Sequence, residues 1–167
     1  FVGKVNLPDF LKQKLKAKEG KIIEVPFYWS GYATRNLSSN PLDYAKPYDY
    51  SDCSMEVGKH NGAHFFTIGQ SKYLGISGRK EKMFVIGTDV VNNIVYVGEG
   101  QYHPGLYKRS LYIKYEDWHC VCPNKNELFD STKLNVRIRY RQPLQTATIR
   151  TTYNGVIVFF DEPQRGI

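Results

Sequence analysis

The chain has no long apolar run. No stretch approaches the roughly 20 residues that cross a bilayer, and no basic amphipathic helix stands out, so a membrane partner is not expected. Cysteine is scarce, with three in 167 residues: Cys53, Cys120 and Cys122. The odd count and the spacing exclude a disulfide framework and point to a reducing compartment, the cytoplasm. The start, Phe1-Val2-Gly3, carries neither an initiator methionine nor a signal peptide. With the abrupt stop at Arg165-Gly166-Ile167, it reads as a segment of a longer protein. Acid is also short: 16 Asp and Glu against 23 Lys and Arg leave a net charge of +7, which favours anionic partners, nucleic acid first. No internal repeat or low-complexity tract is visible, which removes solenoids and disordered tails.

Catalytic constellations are missing as well. His60, His64, His103 and His119 are scattered, and no Ser or Cys elbow stands with a His and an acid. Gly69, Gly75 and Gly78 invite a phosphate-loop reading, but they lack Walker spacing and do not open a helix after a strand. They are read instead as turns packed closely against backbone. Cys120 and Cys122 share one face of an expected strand beside His119. A structural zinc site needs four ligands, usually with a two-residue gap between cysteines, so no metal site is expected and the thiols read as small apolar residues.

What remains is aromatic, globular and mainly β. Hydrophobic residues are 41% and aromatics 14%, with 13 Tyr and 9 Phe, enough to fill a core. Residues 6–20 have a capping Asn6, a first-turn Pro8, an exit at Gly20 and an apolar face of Phe10, Leu11 and Leu15, which predicts a short amphipathic helix. Lys21 to Val25 is a strand candidate. From Pro26 to Lys59 Gly, Pro, Ser, Asn and Asp break every period, which predicts a long loop whose aromatics stack bases or fold back onto the domain. His64 to Thr67 is a further strand candidate, and Met83 to Val91 with Ile94 to Val97 form a hairpin through Asn92-Asn93.

The second part is almost all strand: Leu111 to Tyr115, Trp118 to Cys122, Leu134 to Arg141, Thr146 to Thr152 and Val156 to Phe160. Asn154-Gly155 predicts a type I′ turn between the last two. Pro163 is expected to end the last ladder, leaving Gln164 and Arg165 to face a ligand or begin a loop. Glycines between Gly98 and Gly105 mark the boundary. The expected architecture is a small α+β domain over residues 1–103, with an irregular insertion at 27–60, followed by a small antiparallel β-barrel over 104–167.

The most informative stretch is V-R-I-R-Y-R-Q-P, Val136 to Pro143. Val136, Ile138 and Tyr140 alternate with Arg137, Arg139 and Arg141, which predicts a strand with three guanidinium groups on one face. Like charges in a row repel unless an anion lies across them, and the guanidinium fork suits phosphate. A solvated edge strand protected by its charges has the same pattern. On an ideal strand Tyr140 faces away from the arginines and reaches RNA only if a bulge or the strand end turns it.

H-F-F-T-I-G-Q-S-K-Y-L-G-I-S-G (His64 to Gly78) and M-F-V-I-G-T-D-V-V-N-N-I-V-Y-V-G (Met83 to Gly98) resemble the central region of the bacterial tRNA-specific 2-thiouridylases, the MnmA or TrmU family. Val136 to Pro143 and F-D-E-P-Q-R-G-I (Phe160 to Ile167) resemble its C-terminal barrel. Phe1-Val2-Gly3 and P-D-F-L-K (Pro8 to Lys12) resemble the segment after its second catalytic cysteine. Residues 27–60 carry no motif that adds to this resemblance.

The resemblance implies a parent tRNA-uridine 2-sulfurtransferase, sometimes labelled a tRNA 2-thiouridylate methyltransferase. It uses ATP to adenylate C2 of the wobble uridine, and a persulfide then delivers sulfur. ATP and Mg belong to a preceding domain outside this chain. The second catalytic cysteine falls just before Phe1, and the closing barrel strands fall beyond Ile167. The chain is thus expected to hold tRNA without catalysing, with no cofactor of its own. A persulfide sulfur donor or carrier would be a partner of the parent.

Arg139, Tyr140 and Arg141 match the family's tRNA-facing R-Y-R, and Arg137, Gln164 and Arg165 are expected beside them. In the glycine loop Ser71 replaces an Arg and Tyr73 a Gly, so Lys72, Arg79 and Lys80 are expected to supply the charge. Two other readings stay open: a non-enzymatic module docking a sulfur-relay partner, and an independent zinc-binding β-domain.

Overall fold

β1 (Gly20–Glu24), β2 (Met55–His60), β3 (Met83–Asp89) and β4 (Ile94–Glu99) form one sheet in the order β2-β1-β4-β3. Its central pair, β1 and β4, is parallel, and the outer pairs are antiparallel. The structure is a computed structural model that describes residues 17–38, 40–119 and 131–167. The helix expected over 6–20 lies mostly outside those residues. At its described end Gly20 already opens β1, where a Cβ would stand 2.2 Å from the Asn93 carbonyl oxygen. Close backbone approach, not helix exit, explains this glycine. Contacts divide the chain into two compact units. Among the described residues, one holds those up to Trp29 with Asp49–Leu106, the other those of Ser30–Tyr48 with Tyr107–Ile167.

In the first unit, Ile22, Val85, Val95 and Val97 project from three strands into a core completed by Ala63, Leu74 and Met83. On the opposite face of β4, Tyr96 packs against Tyr50, with ring centroids 5.2 Å apart, and Tyr50 against Trp29 at 4.9 Å. Both faces of β4 are therefore covered, and its run of Val, Tyr, Val and Gly is wholly buried. The expected hairpin is present, turned by Asn93 in the left-handed region (φ 57°). Asn93 is also a buried link: its Nδ2 donates to the Lys18 and Glu19 carbonyls, and its Oδ1 accepts from the Ala63 amide. That capture helps replace the strand expected over His64 to Thr67 by a single 3-10 turn, Ala63–Phe65. His103, also buried, donates from Nε2 to the Val25 carbonyl and accepts from the Gly105 amide at Nδ1, which fixes a neutral tautomer.

The long loop expected after Pro26 is in fact partly regular. It contains α1 (Ser30–Asn36) and α2 (Pro41–Ala45) before β2. Asn40 caps α2 by accepting from the Leu42 amide at 3.0 Å, with Pro41 at the first turn. Both helices are too short for periodicity to reveal them.

The second unit joins these helices to β5 (Tyr107–Lys114), β6 (Thr132–Val136), β7 (Gln145–Thr151) and β8 (Gly155–Arg165). The strands form an antiparallel sheet in the order β5-β8-β7-β6, open between β5 and β6 among the described residues. Its core is Ala147, Ile149, Val156, Val158 and Phe160, and Tyr44 of α2 meets Phe159 edge-on.

Three local expectations fail here. β8 runs past Pro163, because the register with β5 jumps from Phe159 to Gln164 and Pro163 faces no ladder position. The turn before β8 is Tyr153-Asn154, closed by Thr152 N–H to the Gly155 carbonyl, and neither Asn154 nor Gly155 has a positive φ. Gly155 is needed because a Cβ would lie 2.3 Å from the Ile113 carbonyl oxygen. Trp118 and His119 follow a 3-10 turn, Tyr115–Asp117, outside any strand, and the rest of that expected strand lies beyond the described residues.

Candidate nucleic-acid interface

The strand expected over Leu134 to Arg141 ends at Val136, whose partner is Gln145. The arginine-rich segment is a turn. Arg137 Nη1 donates to the Tyr140 carbonyl at 3.0 Å, and the Gln142 amide donates to the Arg139 carbonyl at 3.0 Å. Pro143 offers no amide to extend the β6 ladder. Turning has the consequence that an ideal strand forbids: Tyr140, 89% exposed, shares the surface with Arg137, Arg139 and Arg141, all exposed. Among the described residues no carboxylate lies within ion-pair distance of these three guanidinium groups.

The end of β8 supports the turn. Arg139 Nη2 donates to the Gly166 carbonyl at 3.0 Å, and Gln142 Nε2 donates to Gln164 Oε1 at 2.6 Å. Gln164 is only 4% exposed and donates in turn to the Glu162 carbonyl, so its amide is a buried brace. Arg165 is exposed on the neighbouring strand position. Six of the expected residues thus come together: Arg137, Arg139, Tyr140 and Arg141 on the turn, and Gln164 and Arg165 along the strand that holds it.

The other three lie on the glycine loop of the first unit. Gly69 donates its amide to the Val85 carbonyl, and Val85 donates its own to the Gln70 carbonyl, so the loop begins tied to β3. Gln70 Nε2 then donates to the Lys72 carbonyl at 2.9 Å. Leu74 is buried in the core and Ile76 packs on it, while Lys72 and Lys80 are exposed. Arg79 is engaged in a partly buried ion pair with Glu24 of β1, which leaves less of its charge for an outside anion.

Sequence reasoning missed a cationic cluster on the helical segment of the second unit. Arg35 of α1 lies over the Tyr48 ring, 3.5 Å from its centroid, and donates to the Pro47 carbonyl. Lys108 of β5 is half-buried, and burial, then the Arg35 charge, pushes its ammonium below the ordinary lysine range. Only the fold brings these residues together, since they are separated by up to 73 positions.

Burial and the adjacent Asp52 push the Cys53 thiol up to about 11, so it is held as an unreactive thiol near neutral pH. Cys120 and Cys122 lie outside the described residues. Among the described residues no cluster of three metal-ligating side chains occurs, and no helix is long and apolar enough to cross a membrane.

Two family models match the chain. Residues 49–99 match a family model described as the tRNA methyl transferase PRC-barrel domain. Residues 108–167 match one described as the aminomethyltransferase beta-barrel domain. Over its whole length the chain is 45% identical to a tRNA-specific 2-thiouridylase of Christiangramia forsetii and 41% identical to one of Flavobacterium johnsoniae. It is 33% identical to one of Acinetobacter baumannii. The chain spans 44% of the length of the first two and 38% of the third. With both domain models in the expected order and similarity along the entire chain, this protein belongs to the tRNA-specific 2-thiouridylase family.

Proposed function

We propose that this chain is the tRNA-holding part of a tRNA-uridine 2-sulfurtransferase that acts at the wobble position, with the chemistry carried outside it. The observation that carries this reading is the arginine turn: three exposed guanidinium groups without acidic partners among the described residues, and an exposed Tyr140 beside them. Arg137, Arg139, Arg141 and Arg165 bind phosphates, and Tyr140 meets an unpaired base, the usual division of labour on RNA. Lys72 and Lys80 add charge from the glycine loop, Arg79 contributes less while Glu24 holds it, and Gln164 acts by bracing Gln142. The unreactive Cys53 supports placing sulfur delivery elsewhere in the parent, where ATP, Mg and a persulfide donor or carrier are engaged.

The test is tRNA binding by the full protein carrying Arg139→Ala with Arg141→Ala, measured across a salt series. Two lost phosphate contacts reduce the slope of log K against log salt by about 1.4 to 1.8 and weaken binding at low salt. Unchanged affinity and slope overturn the reading. Loss of sulfur-carrier capture with tRNA binding intact would assign the arginines to a protein partner instead.

A further inference from the structure

Tyr73 is the residue that the folded loop leaves without a structural reason. It stands in the left-handed region at φ 64°, and its side chain is 92% exposed. A non-glycine residue is disfavoured in that conformation, and a large ring in full solvent recovers nothing from packing. The conformation is nevertheless imposed from both sides. The Lys72 carbonyl is fixed by Gln70 Nε2, and Leu74 is drawn into the core beside Met83, Val85 and Val97. Between a fixed carbonyl and a buried leucine, the backbone turns over and projects the Tyr73 ring outward.

The ring stands on the rim of an open cleft of about 490 Å³ formed by the same loop. Gly75 and Gly78, both at positive φ, and the exposed Lys80 and Lys82 line it with Tyr73. A cleft of this size takes a small polar ligand. Its walls offer backbone and ammonium groups to a phosphate or a base edge, and Tyr73 offers an aromatic face. Because the loop is tied to β3 and to the core, the backbone that carries the ring is fixed before any ligand arrives, which lowers the entropy lost on binding.

We infer that Tyr73 and this cleft bind one unpaired nucleobase of the RNA, with the tyrosine ring as its stacking platform. The inference rests on the tRNA reading above and adds a contact in the other unit. Stacking on an aromatic side chain is largely indifferent to base identity and is little affected by salt, unlike a phosphate contact.

The experiment compares the full protein with Tyr73→Gly, Tyr73→Phe and Tyr73→Asn. The probes are tRNA and a blunt RNA duplex of similar length. Glycine and asparagine both tolerate the left-handed conformation, so their melting temperatures should not fall below the parent's and loss of binding would report the ring. Expected results are a 5- to 100-fold loss of tRNA affinity for the Gly and Asn variants with the salt slope unchanged. The Phe variant should stay within about twofold, and duplex binding should be the same for all four proteins. Full tRNA affinity in the Gly and Asn variants overturns the inference, as does an equal loss on the duplex. If that happens while Arg139→Ala with Arg141→Ala still weakens tRNA binding, only the Tyr73 contact is lost. If neither pair of changes matters, the tRNA reading itself falls.

Discussion

The arginine turn of the second unit and the glycine loop of the first are both basic surface segments, and they are held in opposite ways. The turn is fixed by polar bonds at the surface: Arg137 to Tyr140, Arg139 to Gly166 and Gln142 to the buried Gln164. The loop is fixed from below by apolar contacts, with Leu74 and Ile76 set into the core and Arg79 tied to Glu24. The turn therefore keeps its charge available, while the loop exchanges part of its charge for shape. A surface that binds phosphates needs available cations more than a fixed outline. A surface that receives one base needs the outline first.

Breaking the loop from below is expected to have the largest effect. Leu74→Ala removes a buried side chain and leaves a cavity among Met83, Val85 and Val97, at a cost of about 2 to 5 kcal/mol in urea unfolding. Ile138→Ala, the matching truncation in the arginine turn, removes a half-buried side chain and should cost less than about 1.5 kcal/mol. Equal losses would contradict the division between an apolar and a polar anchorage.

The second test makes the loop resemble the turn. Glu24→Gln deletes the carboxylate that holds Arg79 and frees that guanidinium for an outside anion. Because both groups are partly buried, stability should fall by about 1 kcal/mol. The salt slope for tRNA binding should steepen, by about 0.7 to 0.9 if one phosphate contact is gained. An unchanged slope with reduced stability would show that Arg79 is structural in either state.

How much of this contrast is legible in the sequence differs between its two sides. The core of the first unit is readable, since Val85, Val95 and Val97 announce their strands by spacing and Asn92-Asn93 announces the turn. The arginine turn misleads, because its residues alternate like a strand while Arg137 and Gln142 spend their hydrogen bonds closing it. Alternation records which residues are apolar and says nothing about where the ladder partner stops, which here is Gln145. The basic and aromatic character of the segment is plain in the sequence, but the exposure of Tyr140 follows only from the turn. Helices α1 and α2, and the meeting of Arg35, Tyr48 and Lys108, depend on contacts distant in sequence that no local pattern encodes.

The smallest expected effect separates the two units by pH. In the first unit burial holds His60 and His103 below the ordinary histidine value of 6.5. The unfolded chain therefore takes up protons first as pH falls below 6.5, so stability present above that value is lost on acidification. In the second unit the half-buried cation is Lys108, also held low, but its reference value is 10.5. The unfolded chain again holds the proton more tightly, so stability rises with pH, but only in the alkaline range up to 10.5, and does not change near neutrality. The lowered carboxylates, Asp43, Asp49 and Asp89, start from 3.8 and titrate at more acidic pH. The chain has two tryptophans, Trp29 in the first unit and Trp118 in the second, so Trp29→Phe and Trp118→Phe each leave one reporter. Between about pH 7.5 and 5.5 the urea midpoint reported by Trp29 should fall, and that reported by Trp118 should hold. A Trp29 midpoint that does not move would mean that His60 and His103 accept protons without opening the fold. The neutral tautomer bridging Val25 and Gly105 would then not be what holds the first unit closed.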